Sequence, residues 1–169
     1  MSASSTACSY VLKRGPLVGK TKSGKGTKLM VLADGAGTPL GVHLEKASPS
    51  EVKLVEATLN NVRVKTGSRK RGEPKRLIGD RGYDSNTVRT LLVKRGIEPI
   101  IPARCNNTVA THQDGRKMRR YKRRWIIERS NSWLQNFRKL AVRYERSEKI
   151  FAALVHMACA LITLKRVLG

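Results

Sequence analysis

The chain has 169 residues, enough for one domain with its own core and short for two. Apolar residues make up 40% and come in runs punctuated by turn signals, which excludes a bare basic tail. Against 12 acids stand 35 Lys and Arg, for a net charge of +23; self-repulsion of that size calls for a polyanionic partner, nucleic acid first and an acidic membrane surface second.

Residues 1–17 are polar and glycine-containing, with no recognisable cap or core element, and are expected to form a poorly ordered N-terminus. "KLMVLAD" (28–34) reads as a strand, "GAG" (35–37) as a turn and "TPLGVHLEKA" (38–47) as a second strand, giving a β-hairpin. In 48–62, Ser48, Pro49 and Glu51 form a capping-box pattern, and Val52, Val55, Leu59 and Val62 recur at helical spacing. A basic loop follows at 65–75, with Lys70 and Arg71 as candidate DNA contacts. "RLIGD" (76–80) reads as a strand ending on an acid, 85–96 as a helix stopped by Gly96, and 97–102 as a further strand. After a polar loop at 103–117, helices are expected at 118–140 and 148–167. A hairpin followed by alternating helices and strands predicts one α+β (α/β-like) domain, a mixed sheet flanked by helices.

Cys8, Cys105 and Cys159 are far apart, without a C-x-x-C, and His43, His112 and His156 do not join them at ligand spacing, which argues against a disulfide framework and a zinc cluster. "MSASSTACSY" lacks the apolar segment of a signal peptide. The apolar run 150–164 is about five residues short of a membrane span and carries His156. These features point to a soluble, reducing, cytoplasmic setting with no membrane partner.

Two places carry candidate chemistry. Asp80 ends an apolar strand and precedes Arg81-Gly82-Tyr83, at the sheet edge where open α/β sheets bind ligands; Asp80 and Asp84 can equally be read as turn and cap residues. Between 116 and 143 stand eleven Lys and Arg and one acid, Glu128. At about 100° per residue, Tyr121, Arg124, Glu128 and Gln135 share one polar stripe of a helix, beside an apolar face of Ile126, Trp133, Phe137 and Leu140. The plain alternative is an Arg124–Glu128 surface ion pair worth a few tenths of a kcal/mol.

Asp80-Arg81-Gly82-Tyr83, then Tyr121-x-x-Arg124-x-x-x-Glu128, resembles the signature of insertion-sequence transposases of the DDE class, of the IS-four and IS-five kind. Segments 19–48 and 124–146 resemble the stretch after that family's first strand and its last catalytic helix, so the likeness runs from about Lys13 onward. It implies an RNase H-like fold that cleaves and transfers DNA strands, with Asp80 and Glu128 as catalytic acids and ligands of two Mg²⁺ ions. It further implies DNA contacts by Tyr121 and Arg124, transposon ends and target DNA as partners, and a bacterial cytoplasm, associated with the nucleoid; Arg138 and Lys139, one turn beyond Gln135, are further candidate DNA contacts.

The chain departs from that family in its acids. Residues 1–33 contain none, and Ser2-Ala3-Ser4 stands where the first catalytic Asp and its neighbours belong. The first strand is therefore expected to be truncated, beginning at or just after the missing Asp, without the usual N-terminal DNA-binding region. Asp34 matches the hairpin turn, and Gln135 replaces a lysine that contacts DNA. The leading reading is the carboxyl-terminal catalytic region of a transposase, a truncated frame or one half of a split gene, inactive alone and expected to self-associate or to pair with an N-terminal transposase fragment. The alternative is a non-catalytic DNA-binding remnant that regulates a full-length transposase. A basic RNA-binding protein would explain the charge but not the Asp80 and Glu128 motifs.

Overall fold

The computed structural model describes residues 15–20, 24–62, 73–104 and 119–168, and the backbone alone of 2–11 and 21. Lys70, Arg71 and Asp114, and with them most of the basic loop and of the polar loop after 104, lie outside these residues.

One mixed sheet holds β1 (Ser2–Val11), β2 (Gly19–Thr21), β3 (Gly24–Asp34), β4 (Pro39–Lys46), β5 (Arg76–Ile78) and β6 (Glu98–Ile100). β3 pairs antiparallel with β1 on one edge and with β4 and β2 on the other, while β1, β5 and β6 run parallel. The chain is thus α+β, as expected, but its N-terminal segment is not. Where the sequence showed no element in 1–17, Ser2–Val11 form the central strand, bonded to β3 from Ala3↔Asp34 to Val11↔Gly26 and to β5 from Ser2↔Arg76 to Ser4↔Ile78. Its Ser- and Ala-rich residues have weak strand preference, so the pairing partners on both edges define it, a context effect that propensity does not capture.

The expected hairpin is β3–β4, turned at Asp34. Side chains of a strand alternate between faces. Met30 and Leu32 of β3 therefore pack with Leu54, Val55 and Leu59 of α1 (Glu51–Asn60) and with Val88 and Leu92 of α2 (Asn86–Lys94). Leu29, Val31 and Ala33 pack on the other face with Ile127 and Leu134 of α3 (Trp125–Gln135), Leu140 of α4 (Arg138–Ala141) and Phe151, Val155, Ala158 and Ile162 of α5 (Glu148–Leu168). With both faces covered, β3 is buried along almost its whole length.

Several local readings shift. The N-cap of α1 is Ser50, with no side-chain capping bond, so the Ser48–Glu51 box does not form. α2 stops as read, with Gly96 at φ 70° in the left-handed region open to glycine. The expected helix 118–140 is interrupted twice, by a 3-10 turn at Lys122–Arg124 and by an extended Phe137 (φ −79°, ψ 107°) between α3 and α4. That break redirects the chain so that Leu134 and Leu140 both enter the core, with Ile126 and Ile127 buried and Trp133 and Phe137 half-buried. α5 extends beyond the apolar run seen in the sequence, to 21 residues, long and apolar enough by length and composition to cross a membrane. Its Phe151, Val155, Ala158 and Ile162 are nonetheless core residues against the sheet, which a helix of a globular domain also requires.

Candidate active site

Beyond β5, Gly79 N–H still donates to the Ile100 carbonyl (3.2 Å), and the chain then leaves the sheet. Asp80 begins a 3-10 turn, Arg81–Tyr83, and its Oδ1 accepts from Gly82 N–H at 2.7 Å. A Cβ on residue 82 would sit 2.8 Å from that oxygen, so glycine is what lets the carboxylate fold back over the turn. The other oxygen, Oδ2, lies 3.9 Å from Arg124 Nη1, and Arg124 Nη2 lies 2.7 Å from Glu128 Oε1. One guanidinium therefore touches both acids, and since its two terminal nitrogens belong to a single rigid fork, the carboxylates lie within about 10 Å of each other. The Arg124 carbon stands 5.7 Å from the centre of the Tyr121 ring. Side chains of Asp80 and Glu128 are 43% and 56% exposed, so the pair opens to solvent.

Sequence reasoning missed what holds the Asp80 turn in place. Asp84, read as a cap, is a buried brace: its Oδ1 accepts from Arg89 Nε (2.9 Å) and its Oδ2 from the Arg104 N–H (2.6 Å). Arg89 also donates to the Ile101 carbonyl, and Arg104 donates to the carbonyls of Arg81 (2.9 Å) and Gly82 (2.8 Å). The turn carrying Asp80 is thereby tied to the strand end beside it. On the other side the hairpin turn docks on α3, through Ser130 Oγ to the Gly37 carbonyl (2.8 Å) and Arg129 to the Ala36 carbonyl (2.9 Å). Arg129 also lies against the rings of Trp125 (4.7 Å) and Trp133 (4.8 Å). These are contacts between residues 93 positions apart, invisible to local patterns.

Asp34 is a turn residue, as read: its Oδ1 accepts from Ala36 and Thr38 N–H, both at 2.8 Å. Arg138 and Lys139 sit on α4, past the break, where Lys139 faces Glu145 at 3.9 Å. Arg143, counted in the basic run, is buried, stacked on Phe151 at 4.7 Å and bonded to Thr27 Oγ1. Burial lowers its pKa, with Glu148 opposing that shift, and its charge does not reach the surface.

The family profile described as the transposase DDE domain matches residues 13–163, which includes both acid motifs. This chain belongs to the DDE transposase family. It is similar to the protein named as a transposase for insertion sequence element IS402 of Burkholderia cepacia, 34% identical over 146 residues. That alignment covers 83% of this chain, and the chain spans 65% of the relative's length. Transposases of this family act on DNA and depend on divalent metals. The donor set at the cleft suits Mg²⁺, a hard cation that takes carboxylate and phosphate oxygens. Among the described residues, however, no group of three Asp, Glu, His or Cys comes together, so the cleft offers two protein carboxylates.

Proposed function

We propose that this chain is the catalytic region of an insertion-sequence transposase, built on an RNase H-like sheet, with Asp80 and Glu128 as its catalytic and metal-holding acids. The observation that carries the reading is their meeting at Arg124 from separate elements, the end of β5 and the first turn of α3. The order β4-β3-β1-β5-β6, with β3 antiparallel to a parallel β1, β5 and β6, supports the RNase H-like assignment.

Two Mg²⁺ ions held there would activate the attacking oxygen and stabilise the leaving one in phosphodiester displacement. The chain's own part is positional and electrostatic. Arg124, poised between the acids and backed by the Tyr121 ring, would be free to meet DNA phosphate with the acids occupied by a cation. Arg138, Lys139, Lys70 and Arg71 follow the DNA backbone, and the net charge of +23 favours binding to transposon ends and target alike. Such a protein works in the bacterial cytoplasm, on the nucleoid.

Residues 1–169 do not cleave by themselves in this reading, because two carboxylates hold a two-metal site poorly. A third acid, absent from this site among the described residues, would complete it, and an N-terminal transposase fragment paired with this chain is one source. A second reading, a DNA-binding regulator without catalysis, is favoured by the ion pairs that Arg124 makes with both acids, which offset part of their charge without metal. Strand cleavage of the gene's own flanking DNA, with Mg²⁺ or Mn²⁺, separates the two. Cleavage gained with an added Asp-bearing segment and lost in Glu128→Gln supports the enzyme; binding without cleavage under every condition supports the regulator. Cleavage surviving both Asp80→Asn and Glu128→Gln would remove the site.

A further inference from the structure

Glu128 lies in the first turn of α3, which has no side-chain cap. Arg124 comes one turn earlier on the same stretch of chain, so the acid and its partner move together. Asp80 is anchored separately, on the turn that Asp84 and Arg104 tie down. The 3.9 Å contact from Arg124 to Asp80 therefore depends on where the start of α3 sits. A helix end beside a solvent-open cleft opens readily unless something seats it.

The residue after Glu128 has the contacts of a seat. The Arg129 guanidinium stands 4.7 Å from the Trp125 ring, one turn before it, and 4.8 Å from the Trp133 ring, one turn after. Its Nη2 donates to the Ala36 carbonyl at 2.9 Å, and its Nε is buried with no hydrogen-bond partner among the described residues. The two rings thus do much of the work of orienting it. The surface it meets is stiff, because Asp34 Oδ1 accepts from Ala36 and Thr38 N–H, both at 2.8 Å. The fit is close as well: a Cβ on Gly37 would lie 3.4 Å from Arg129 Nη2 and 2.9 Å from Ser130 Oγ. Trp125 is 53% exposed, so core burial does not account for a tryptophan there, whereas its ring contact with Arg129 does.

We propose that Arg129 is the positioning residue for Glu128. Clamped between Trp125 and Trp133 and bonded to the β3–β4 turn, it seats the first turns of α3 and so holds Glu128 and Arg124 at the distance from Asp80 that the cleft requires. This rests on the reading of Glu128 as a catalytic acid. A flat guanidinium takes a ring on each face while it donates in its own plane; an ammonium has no plane to offer.

Amide hydrogen exchange of the full chain tests the seat without metal. Arg129→Lys keeps the charge and the helix preference. In that variant, amides 129–135 of α3 should exchange about tenfold faster, the worth of two ring contacts, while amides 29–33 of β3 keep their wild-type rates. Trp125→Leu should act in the same direction, and Trp125→Phe, which keeps a ring face, should restore protection. Trp125 and Trp133 are the chain's two tryptophans, so Arg129→Lys should also shift the emission of the folded protein. The spin-resonance signal of unbound Mn²⁺ then reads the cleft: Arg129→Lys should bind Mn²⁺ several-fold more weakly than wild type, and Glu128→Gln more weakly still with exchange unchanged. Equal acceleration in α3 and β3 would make Arg129 a packing residue and overturn the proposal. Unchanged exchange in α3, or wild-type Mn²⁺ affinity in Arg129→Lys despite faster exchange, would overturn it too. Wild type binding Mn²⁺ no better than Glu128→Gln would instead remove the catalytic reading of Glu128, and the exchange pattern would still decide whether Arg129 seats α3.

Discussion

Removing the Asp84 carboxylate, by Asp84→Ala, exposes how the cleft is built. The Asp84 side chain is 0% exposed and its partner Arg89 only 13%. The carboxylate receives Arg89 Nε at 2.9 Å, Arg89 Nη2 at 2.8 Å and the Arg104 N–H at 2.6 Å. The variant leaves a guanidinium nearly buried without its counter-charge and a backbone donor without its acceptor. Breaking a buried pair in this way costs about 3–5 kcal/mol, a large part of the roughly 5–15 kcal/mol that holds a domain folded. For a chain of this length each kcal/mol moves the midpoint by about 2–4 °C, so thermal unfolding should begin some ~6–20 °C lower. The Arg124–Glu128 pair is the contrast. With side chains 37% and 56% exposed, it is worth at most about 1 kcal/mol, and Glu128→Gln should unfold almost with the wild type. Urea and thermal melts of the two variants side by side decide the matter. A loss below about 1 kcal/mol in Asp84→Ala would refute the claim that Asp84 braces the turn.

Three further outcomes follow from the same geometry. Arg124→Ala should weaken binding to duplex DNA and reduce the slope of log affinity against log salt by about 0.9, one phosphate's worth, in a fluorescence titration; an unchanged slope would take Arg124 off the DNA. Gly37→Ala should destabilise by more than about 1 kcal/mol in urea, because residue 37 has φ 89° and its Cβ would meet Ser130 Oγ at 2.9 Å. Burial raises the Cys159 thiol from 9.0 to about 11. Unfolding therefore favours ionisation, so the stability from this group is full below 9.0 and is lost as pH rises toward about 11. In a Cys8→Ser, Cys105→Ser background, alkylation at pH 9 should be slow when folded and fast in urea; equal rates would contradict the burial.

The parts legible in the sequence were those with local causes. A turn-forming Asp34 before Gly35 gave the hairpin, Gly96 gave the end of α2, and Asp80 with Glu128 carried enough pattern to single out two acids that Arg124 bridges. What escaped depends on contacts distant in sequence. β1 is a strand because β3 and β5 hold both its edges, and nothing in a Ser- and Ala-rich stretch announces that. The brace at Asp84 needs Arg104, twenty residues on, and looked like a cap because Asp is common there. The helical wheel for 118–140 rightly turned Trp133 and Phe137 toward the core, against which both pack half-buried, but it assumed a continuity that Phe137 breaks. Arg143 counted as surface charge until its stacking on Phe151 put it inside.

The metal assignment of the Asp80–Glu128 cleft admits a direct measurement. Fe²⁺ can occupy an oxygen-ligand Mg²⁺ site and, with ascorbate and peroxide, cuts the polypeptide beside the ion. Paired cuts are expected near residues 80 and 128, suppressed by excess Mg²⁺ and abolished by either Asp80→Asn or Glu128→Gln. Cuts at other positions, or cuts that persist in both variants, would contradict it.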